Sequence, residues 1–117
     1  MVSDKCPIEV SIEVLGGKWK PFILYYLLNG TKRFSELQRY IPSVSPKVLT
    51  QQLRDLEEDG IIVRHVYPIV PPKVEYSLTT YGESIRPVID ILFNWGTSHL
   101  ELSRIESTCN HKLAKVK

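Results

Sequence analysis

The chain has 117 residues, of which 43% are hydrophobic and 24% charged, with a net charge of +2. These values are ordinary for one globular domain with a single core. No apolar run reaches the roughly 18 residues that a membrane span needs, and the first residues lack a signal-peptide pattern, so the sequence predicts a cytoplasmic protein without membrane contact. The two cysteines, Cys6 and Cys109, are far apart and form neither a disulfide framework nor a zinc knuckle.

Charge is distributed unevenly along the chain. Residues 1–54 carry a net charge of +4, residues 55–62 carry −4, and residues 63–117 carry +2. For attraction to a polyanion, such segregation matters more than the small net charge.

The first two predicted helices lie on either side of Gly16-Gly17. The first spans residues 7–15, with Pro7 in its first turn. The second follows Lys18-Trp19-Lys20 and ends at Asn29-Gly30. Apolar residues crowd all sides of this second helix, which is typical of a helix at the centre of a core.

A short third helix and a longer fourth helix follow, joined by about three residues. Ser35 is expected to open the third helix, with Phe34 packing against its start, and Pro42 closes it. The fourth helix has Ser45 as its cap and Gly60 as its left-handed stop. Two helices with so short a connection predict a helix-turn-helix.

The fourth helix, within residues 45–60, has two opposite faces. At 100° per residue its leucines fall on one stripe, while Lys47, Gln51, Arg54 and Glu58 fall on the other. Its first turns are basic and amide-rich, and its far end is acidic. We interpret it as a DNA recognition helix; an ordinary solvated face is the alternative.

After Gly60 the hydrophobic period changes from helical to alternating. Residues 61–67 and 74–78 are predicted strands, separated by a proline-stiffened loop from Pro68 to Lys73. Two strands and a projecting loop directly after a helix-turn-helix predict a winged helix. The fold class is therefore mainly α with a small β-hairpin (α+β).

The last long helix carries more apolar positions than one small core needs. Thr80 and Glu83 have capping-box spacing at its start, and Pro87 in its second turn predicts a mild kink. With the first helix it forms a seam that predicts a homodimer; an internal core layer is the alternative. The predicted interface residues are Ile8, Ile12, Ile85, Val88, Leu92, Trp95, His99 and Leu102. A single domain is expected over residues 1–104, followed by a flexible tail over residues 105–117.

In order and spacing, these segments resemble the HxlR-type family of bacterial winged helix-turn-helix transcription regulators and, more loosely, MarR-type regulators. The resemblance covers residues 6–96 and implies a homodimer on a palindromic operator, with the terminal helices as the dimer interface. The segments that carry it are Cys6-Pro7, Gly16-Gly17-Lys18-Trp19, Arg33-Phe34-Ser35-Glu36-Leu37, Ser45-Pro46-Lys47-Val48-Leu49-Thr50, Leu53-Arg54-Asp55-Leu56-Glu57, Asp59-Gly60, Val66-Tyr67-Pro68, Val70-Pro71-Pro72-Lys73-Val74-Glu75-Tyr76-Ser77-Leu78-Thr79 and Trp95-Gly96.

The candidate DNA-binding residues fall into three groups. Hydroxyls and helix N-terminal amides near Pro46 suit phosphate oxygens, and long side chains on the fourth helix can reach base edges. Cations outside that helix would contact the backbone or the minor groove. The predicted residues are Lys32, Arg33, Ser43, Ser45, Pro46, Lys47, Thr50, Gln51, Arg54, Arg64 and Lys73. A surface turn with a solvated lysine is the alternative for the loop.

Cys6 is the candidate redox sensor. It follows Lys5 and directly precedes a helix, and both neighbours favour a thiolate. In some members of the resembled family, the cysteine that matches Cys6 senses oxidants or electrophiles. The alternative is a small packing residue.

The sequence contains residues for two other modes of control. A metal could be held by residues from the set Cys6, His65, His99, Cys109 and His111, although their spacing does not predict a site. A small effector could enter near Trp19, Tyr25 and Trp95. No cofactor is predicted, and the effector is not identified.

Enzymatic activity is not expected. Gly16-Gly17-Lys18 lacks the first glycine and the following Ser or Thr of a phosphate loop, and the acids at 55–59 have no partners for catalysis. A winged helix used only for protein contacts is the remaining alternative.

Overall fold

The computed structural model describes residues 4–103. In that range the chain forms five α-helices and a three-stranded antiparallel sheet of order β1-β3-β2. The elements are α1 (Pro7–Leu15), α2 (Lys20–Leu27), β1 (Lys32–Arg33), α3 (Phe34–Tyr40), α4 (Pro46–Glu58), β2 (Ile62–Tyr67), β3 (Lys73–Leu78), a 3-10 turn (Gly82–Ile85) and α5 (Arg86–Ser103). This confirms the predicted α+β winged helix-turn-helix. The tail predicted over residues 105–117, with Cys109 and His111, lies outside the described residues.

The core is packed around α2, as its sequence predicted. This helix contacts α3, α4, α5 and β3, and only Phe22, at 36% exposure, stands well out of the packing. The leucine stripe of α4 packs into the same core and is almost completely buried. Since burying a leucine contributes about 1.5–3 kcal/mol, these contacts fix α4 to the rest of the domain. The buried residues of the two helices are Ile23, Leu24, Tyr26, Leu27, Leu49, Leu53 and Leu56.

Both ends of α4 are closed by the groups that its sequence predicted. At the start, the Ser45 hydroxyl oxygen accepts a hydrogen bond from the N–H of Val48 at 3.2 Å. At the end, Gly60 has a φ of +76°. Its N–H bonds to the carbonyl of Glu57, and the N–H of Ile61 bonds to the carbonyl of Leu56, both at 3.0 Å. This pair of bonds is a Schellman motif, which ends the helix sharply.

The sheet contains one strand, β1, that the sequence did not predict. Lys32 pairs with Tyr76, which also pairs with Arg64 on β2. Arg33 pairs with Glu75. Because neighbouring residues of a strand point to opposite faces, Lys32 lies on the face shared with buried Tyr76, whereas Arg33 lies on the other face. A two-residue strand is too short for a hydrophobic period, so only its distant partner reveals it.

The junction between α4 and α5 depends on Thr79 rather than on the predicted capping box. The Thr79 hydroxyl donates to the carbonyl of Gly60 at 2.6 Å and accepts from the N–H of Gly82 at 2.8 Å. Gly82 is pressed so closely against the chain that a Cβ there would lie 2.0 Å from the carbonyl oxygen of Ile61. The expectation that Thr80 caps this helix is therefore wrong. Pro87 lies where the 3-10 turn gives way to α5, because it has no N–H to continue the ladder.

The terminal helices leave a broad apolar surface in solvent. No residue of α1 is buried, and Ile89 is the buried residue of α5 within the described range. Among residues 4–103, no helix is both long and apolar enough to cross a membrane.

Candidate nucleic-acid interface

The turn between α3 and α4 is rigidly packed. The Gln38 side-chain amide donates to the carbonyl of Val44, and both Ile41 and Val44 are buried beneath the turn. At the other end of α3, the Glu36 carboxylate accepts from the N–H of Arg33 at 2.8 Å. The helix begins at Phe34, one residue before the predicted Ser35. These contacts fix the angle at which α4 projects.

The exposed face of α4 presents the predicted reading residues together. Lys47, Gln51 and Arg54 are all exposed on the side opposite the buried leucines. The exposed residues Ser43, Ser45 and Pro46 lie at the helix start, where unpaired backbone N–H groups and the helix dipole favour an anion.

Two hydroxyls at this end differ in what they can still do. Ser45 uses its oxygen as an acceptor, so its proton remains available to a phosphate. Thr50 donates its proton to the carbonyl of Pro46 at 2.8 Å. In this state Thr50 can accept but cannot donate, so the predicted phosphate contact would require its hydroxyl to rotate.

Gln51 is held by a residue that the sequence reasoning missed. Its amide nitrogen donates to the Asp55 carboxylate at 3.0 Å. Because a carboxylate only accepts, this bond fixes which end of the amide is nitrogen and leaves the Gln51 carbonyl oxygen free. Asp55 in turn lies 3.8 Å from the Lys20 ammonium, whose side chain is 11% exposed. The i,i+4 spacing of Gln51 and Asp55 was the available sequence signal.

The cations predicted outside α4 do not form one cluster. Lys32 donates to the carbonyl of Gly30 at 3.3 Å, while Arg33 lies on the opposite face of the sheet, across from Glu75. Arg64 is on the same face as Lys32 and Tyr76, beside α4. Together with Arg54 it lines a polar cleft of about 240 Å³ between α4 and the hairpin.

Lys73, the predicted wing contact, is engaged within the wing. Its ammonium lies 3.5 Å from the Glu75 carboxylate and 4.8 Å from the centre of the Tyr67 ring. The Tyr67 hydroxyl donates to Glu75 at 3.0 Å. This hydrogen bond, followed by the nearby Lys73 and Arg33 charges, lowers the pKa of Glu75, and the same bond raises the pKa of Tyr67. Glu75 therefore remains ionised, and its negative charge partly neutralises the positive charge of Lys73.

The predicted dimer surface is mostly exposed. Trp95 and His99 stack at 5.3 Å between ring centres, and Ile85 is the half-buried exception because it packs on the core. The exposed fractions of its apolar residues are Ile8 67%, Ile12 63%, Val88 41%, Leu92 48%, Trp95 67% and Leu102 85%. Ile91, which was not predicted to be in the interface, is also exposed, at 66%. Large apolar side chains on both α1 and α5 are thus exposed to solvent.

Cys6 is exposed and occupies the N-cap position of α1. The predicted cationic neighbour, Lys5, forms an ion pair with Glu13 at 2.7 Å. The cation is thus shared with an acid rather than reserved for the thiol. Cys6 is also the one cysteine in the described part of the chain, so an oxidative partner would come from another molecule or from Cys109.

The fold does not bring together the candidate metal-binding residues that lie in the described range. Within residues 4–103, no group of three or more His, Cys, Asp or Glu side chains could hold an ion. His65 lies on the sheet and His99 on α5.

Comparison with known proteins agrees with this geometry. A family model described as HxlR-like helix-turn-helix matches residues 14–104. The uncharacterized HTH-type transcriptional regulator YybR of Bacillus subtilis (strain 168) is 46% identical over 112 residues, covering 96% of this chain and 88% of YybR.

Two solved regulators are also similar in structure. The redox regulator HypR in its reduced form matches with a TM-score of 0.81 and 45% identity, covering 85% of this chain and 98% of HypR. The reduced form of the transcriptional regulator YodB from B. subtilis matches with a TM-score of 0.69 and 37% identity, covering 78% of this chain and 90% of that one. With its predicted motifs, its fold and these relatives in agreement, the chain belongs to the HxlR-like helix-turn-helix family and is an HTH-type transcriptional regulator.

Proposed function

We propose that the protein binds a palindromic operator in double-stranded DNA as a homodimer, with α4 in the major groove. The observation that carries this is the face of α4, where exposed reading side chains stand opposite three buried leucines. A helix fixed in this way can hold side chains against base edges without losing much freedom on binding. A DNA partner also implies action in the cytoplasm.

Base reading is assigned to Lys47 and Gln51. Lys47 lies in the first turn of α4 and Gln51 in the second, and both are on its exposed face. Lys47 can donate to guanine. Gln51, with its nitrogen held by Asp55, presents its carbonyl oxygen, which suits the exocyclic amino group of adenine or cytosine. The acids Glu57, Glu58 and Asp59 lie at the far end, where repulsion from phosphates matters least.

The dimer is assigned to the exposed apolar faces of α1 and α5. Two-fold pairing through these faces would place the two copies of α4 on half-sites about 10 bp apart or a multiple of it. Thr79 connects the end of α4 to the start of α5, so a shift of the dimer helices would act directly on the reading helix.

Selection of bound duplexes from a random pool tests the DNA assignment. We expect one palindromic consensus for the wild type. Lys47→Ala and Gln51→Ala should each relax the preference at a defined base pair, by about 1–3 kcal/mol of discrimination. Trp95→Arg should give a monomer by ultracentrifugation and lose the consensus. Absence of enrichment with the folded wild type would contradict the proposal.

Regulation is assigned to Cys6, on the basis of its exposure beside the dimer surface and the likeness to the redox regulator HypR. Oxidation would join the Cys6 sulfur to a second thiol, from another copy or from Cys109. The two protons and two electrons released would reduce diamide to its hydrazine. Such a bond at the start of α1 would strain the interface that sets the spacing of the reading helices.

Diamide treatment tests this assignment. We expect the wild type to lose operator affinity and to recover it with a reducing thiol, whereas Cys6→Ser should be insensitive. Non-reducing gels of Cys6→Ser and Cys109→Ser identify the partner thiol. Equal sensitivity of wild type and Cys6→Ser would rule out Cys6.

A further inference from the structure

The polar cleft between α4 and the wing is not used by the base-reading assignment. Its α4 wall is formed by Thr50, Leu53, Arg54 and Glu57, which are spaced 3, 1 and 3 residues apart and so share the flank of the helix between the leucine stripe and the exposed reading face. Its other wall is formed by Arg64 and Tyr76, which are register partners on the hairpin. The buried Leu53 forms part of the lining. The cleft is thus lined by two arginines, one from each wall.

The charges in the cleft favour an anion. Two arginines face one acid, Glu57, and no ion pair joins Glu57 to either of them among the described residues. Neither arginine has an ion-pair or hydrogen-bond partner within that range. Arginine presents a planar fork of donors that matches phosphate oxygens, and two unpaired forks converging on one space form a site for a single phosphate group.

The position of the cleft identifies the source of that phosphate. When α4 lies in the major groove and the wing approaches the neighbouring minor groove, the sugar-phosphate strand that separates the two grooves must pass between them. The space between α4 and the hairpin is this cleft. A backbone phosphate at that point would approach Arg54 from one side and Arg64 from the other.

We propose that Arg54 and Arg64 together clamp one backbone phosphodiester of each half-site in this cleft. The inference rests on the proposed function, and it changes the predicted role of Arg54 from reading a base to binding the backbone. Glu57 lies in the same cleft and opposes the phosphate charge. It therefore limits how tightly any DNA sequence is held, which favours the interactions that depend on sequence.

The test uses the full-length protein and the duplex selected from the random pool. A single methylphosphonate, which removes the charge of one phosphate, is moved along each strand. The wild type should lose about 10-fold in affinity at one phosphate per half-site, because a charge-assisted pair is lost. The Arg54→Ala/Arg64→Ala double variant should show no loss at that phosphate and the wild-type loss at all others.

Salt dependence and sequence preference provide the second readout. Arg54→Ala and Arg64→Ala should each weaken selected and random duplexes by the same factor. Because the two arginines share one phosphate, the double variant should lower the salt slope by about 0.9 per half-site, and each single variant by less. Glu57→Gln should strengthen both duplexes, whereas Glu58→Gln, outside the cleft, should have a smaller effect. Melting curves establish that each variant is folded.

Three results would overturn the clamp. A changed base preference for Arg54→Ala would show that Arg54 reads a base. Equal methylphosphonate profiles for the wild type and the double variant would show that the two arginines contact no common phosphate. If inorganic phosphate stabilises the wild type but not the double variant against thermal unfolding, and yet does not compete with DNA, the cleft binds a free anion away from the path of the DNA. A wild type that selects no duplex at all would overturn the proposed function itself, whereas the three results above leave that function standing, so the two failures are distinguishable.

Discussion

The reading helix and the wing both carry predicted DNA contacts, yet they differ in how those side chains are held. On α4, the cations Lys47 and Arg54 are exposed and form no ion pair within the described residues. On the wing, Lys73 is paired with Glu75 and lies over Tyr67. The backbone differs too, because α4 is anchored by buried leucines, whereas the loop ahead of Lys73 reaches 98% exposure at Val70.

This difference between the unpaired cations of α4 and the paired Lys73 shows that a count of basic residues does not measure the charge available to DNA. A cation already beside a carboxylate must give up that interaction, or share it, when it meets a phosphate. A cation on a helix face without an acid partner contributes its full charge. We therefore expect the unpaired cations Lys47, Arg54 and Arg64 to supply most of the affinity and Lys73 to supply a smaller, adjustable part.

The largest expected difference concerns stability. Leu53→Ala removes a side chain that is 1% exposed and should lower the free energy of unfolding by about 2–5 kcal/mol. Val66→Ala, in the wing at 53% exposure, should cost only about 0.5 kcal/mol. Urea denaturation measures both. Similar costs would mean that the wing is as firmly packed as α4.

The next difference concerns affinity for the selected operator. Lys47→Ala should weaken binding about 10-fold, since it removes an unpaired cation from the reading face. Lys73→Ala should cost about 2-fold, because its ammonium is already compensated and surface pairs contribute less than about 1 kcal/mol. Fluorescence anisotropy at fixed salt gives both values.

Glu75→Gln is the matched variant for that comparison. It should strengthen binding by releasing Lys73, and Lys73→Ala made in its background should cost more than in the wild type. A larger loss for Lys73→Ala than for Lys47→Ala in the wild type would reverse the assigned order of helix and wing.

A smaller effect is expected at the residue that holds Gln51. Asp55→Asn allows the Gln51 side-chain amide to flip, exchanging its oxygen and nitrogen, because an asparagine side chain can donate as well as accept. Discrimination at the base pair read by Gln51 should fall by about 1 kcal/mol, with overall affinity for random DNA little changed. Asp55→Glu, which keeps a carboxylate, is the control. Uniform weakening on all sequences would indicate that Asp55 acts only through charge or folding.

The smallest effect is the pH response of the wing. The pKa of Glu75 is lowered from its ordinary value of 4.5, chiefly by the hydrogen bond from Tyr67, so its contribution to stability is present above about pH 4.5 and is lost as pH falls through the lowered folded pKa. The pKa of Tyr67 is raised above 10.0 by the same bond, so that contribution is lost again at strongly alkaline pH. Tyr67→Phe should move the Glu75 carboxyl titration, followed by NMR, upwards. An unchanged titration would remove the assigned cause.

Local signals made much of the fold predictable. Ser45, Pro46 and Gly60 predicted both ends of α4, because caps depend on groups within a few residues of each other. The winged helix-turn-helix followed from periodicity in the same way. The role of Thr79 ahead of α5 was not predicted. Its hydroxyl accepts from Gly82 and donates to Gly60, and two strands separate Gly60 from Thr79 in the chain.

Periodic patterns and local caps in the sequence were enough to predict the order of elements, the exposed face of α4 and the apolar surplus of the terminal helices. Which charges remain available for binding depends instead on how those elements pack together. The register of β2 and β3 puts Tyr67 opposite Lys73, where its hydroxyl reaches Glu75, and it puts Arg64 opposite Tyr76, in the same cleft as Arg54. Charges act through space, and distances between elements are set by packing rather than by position in the chain.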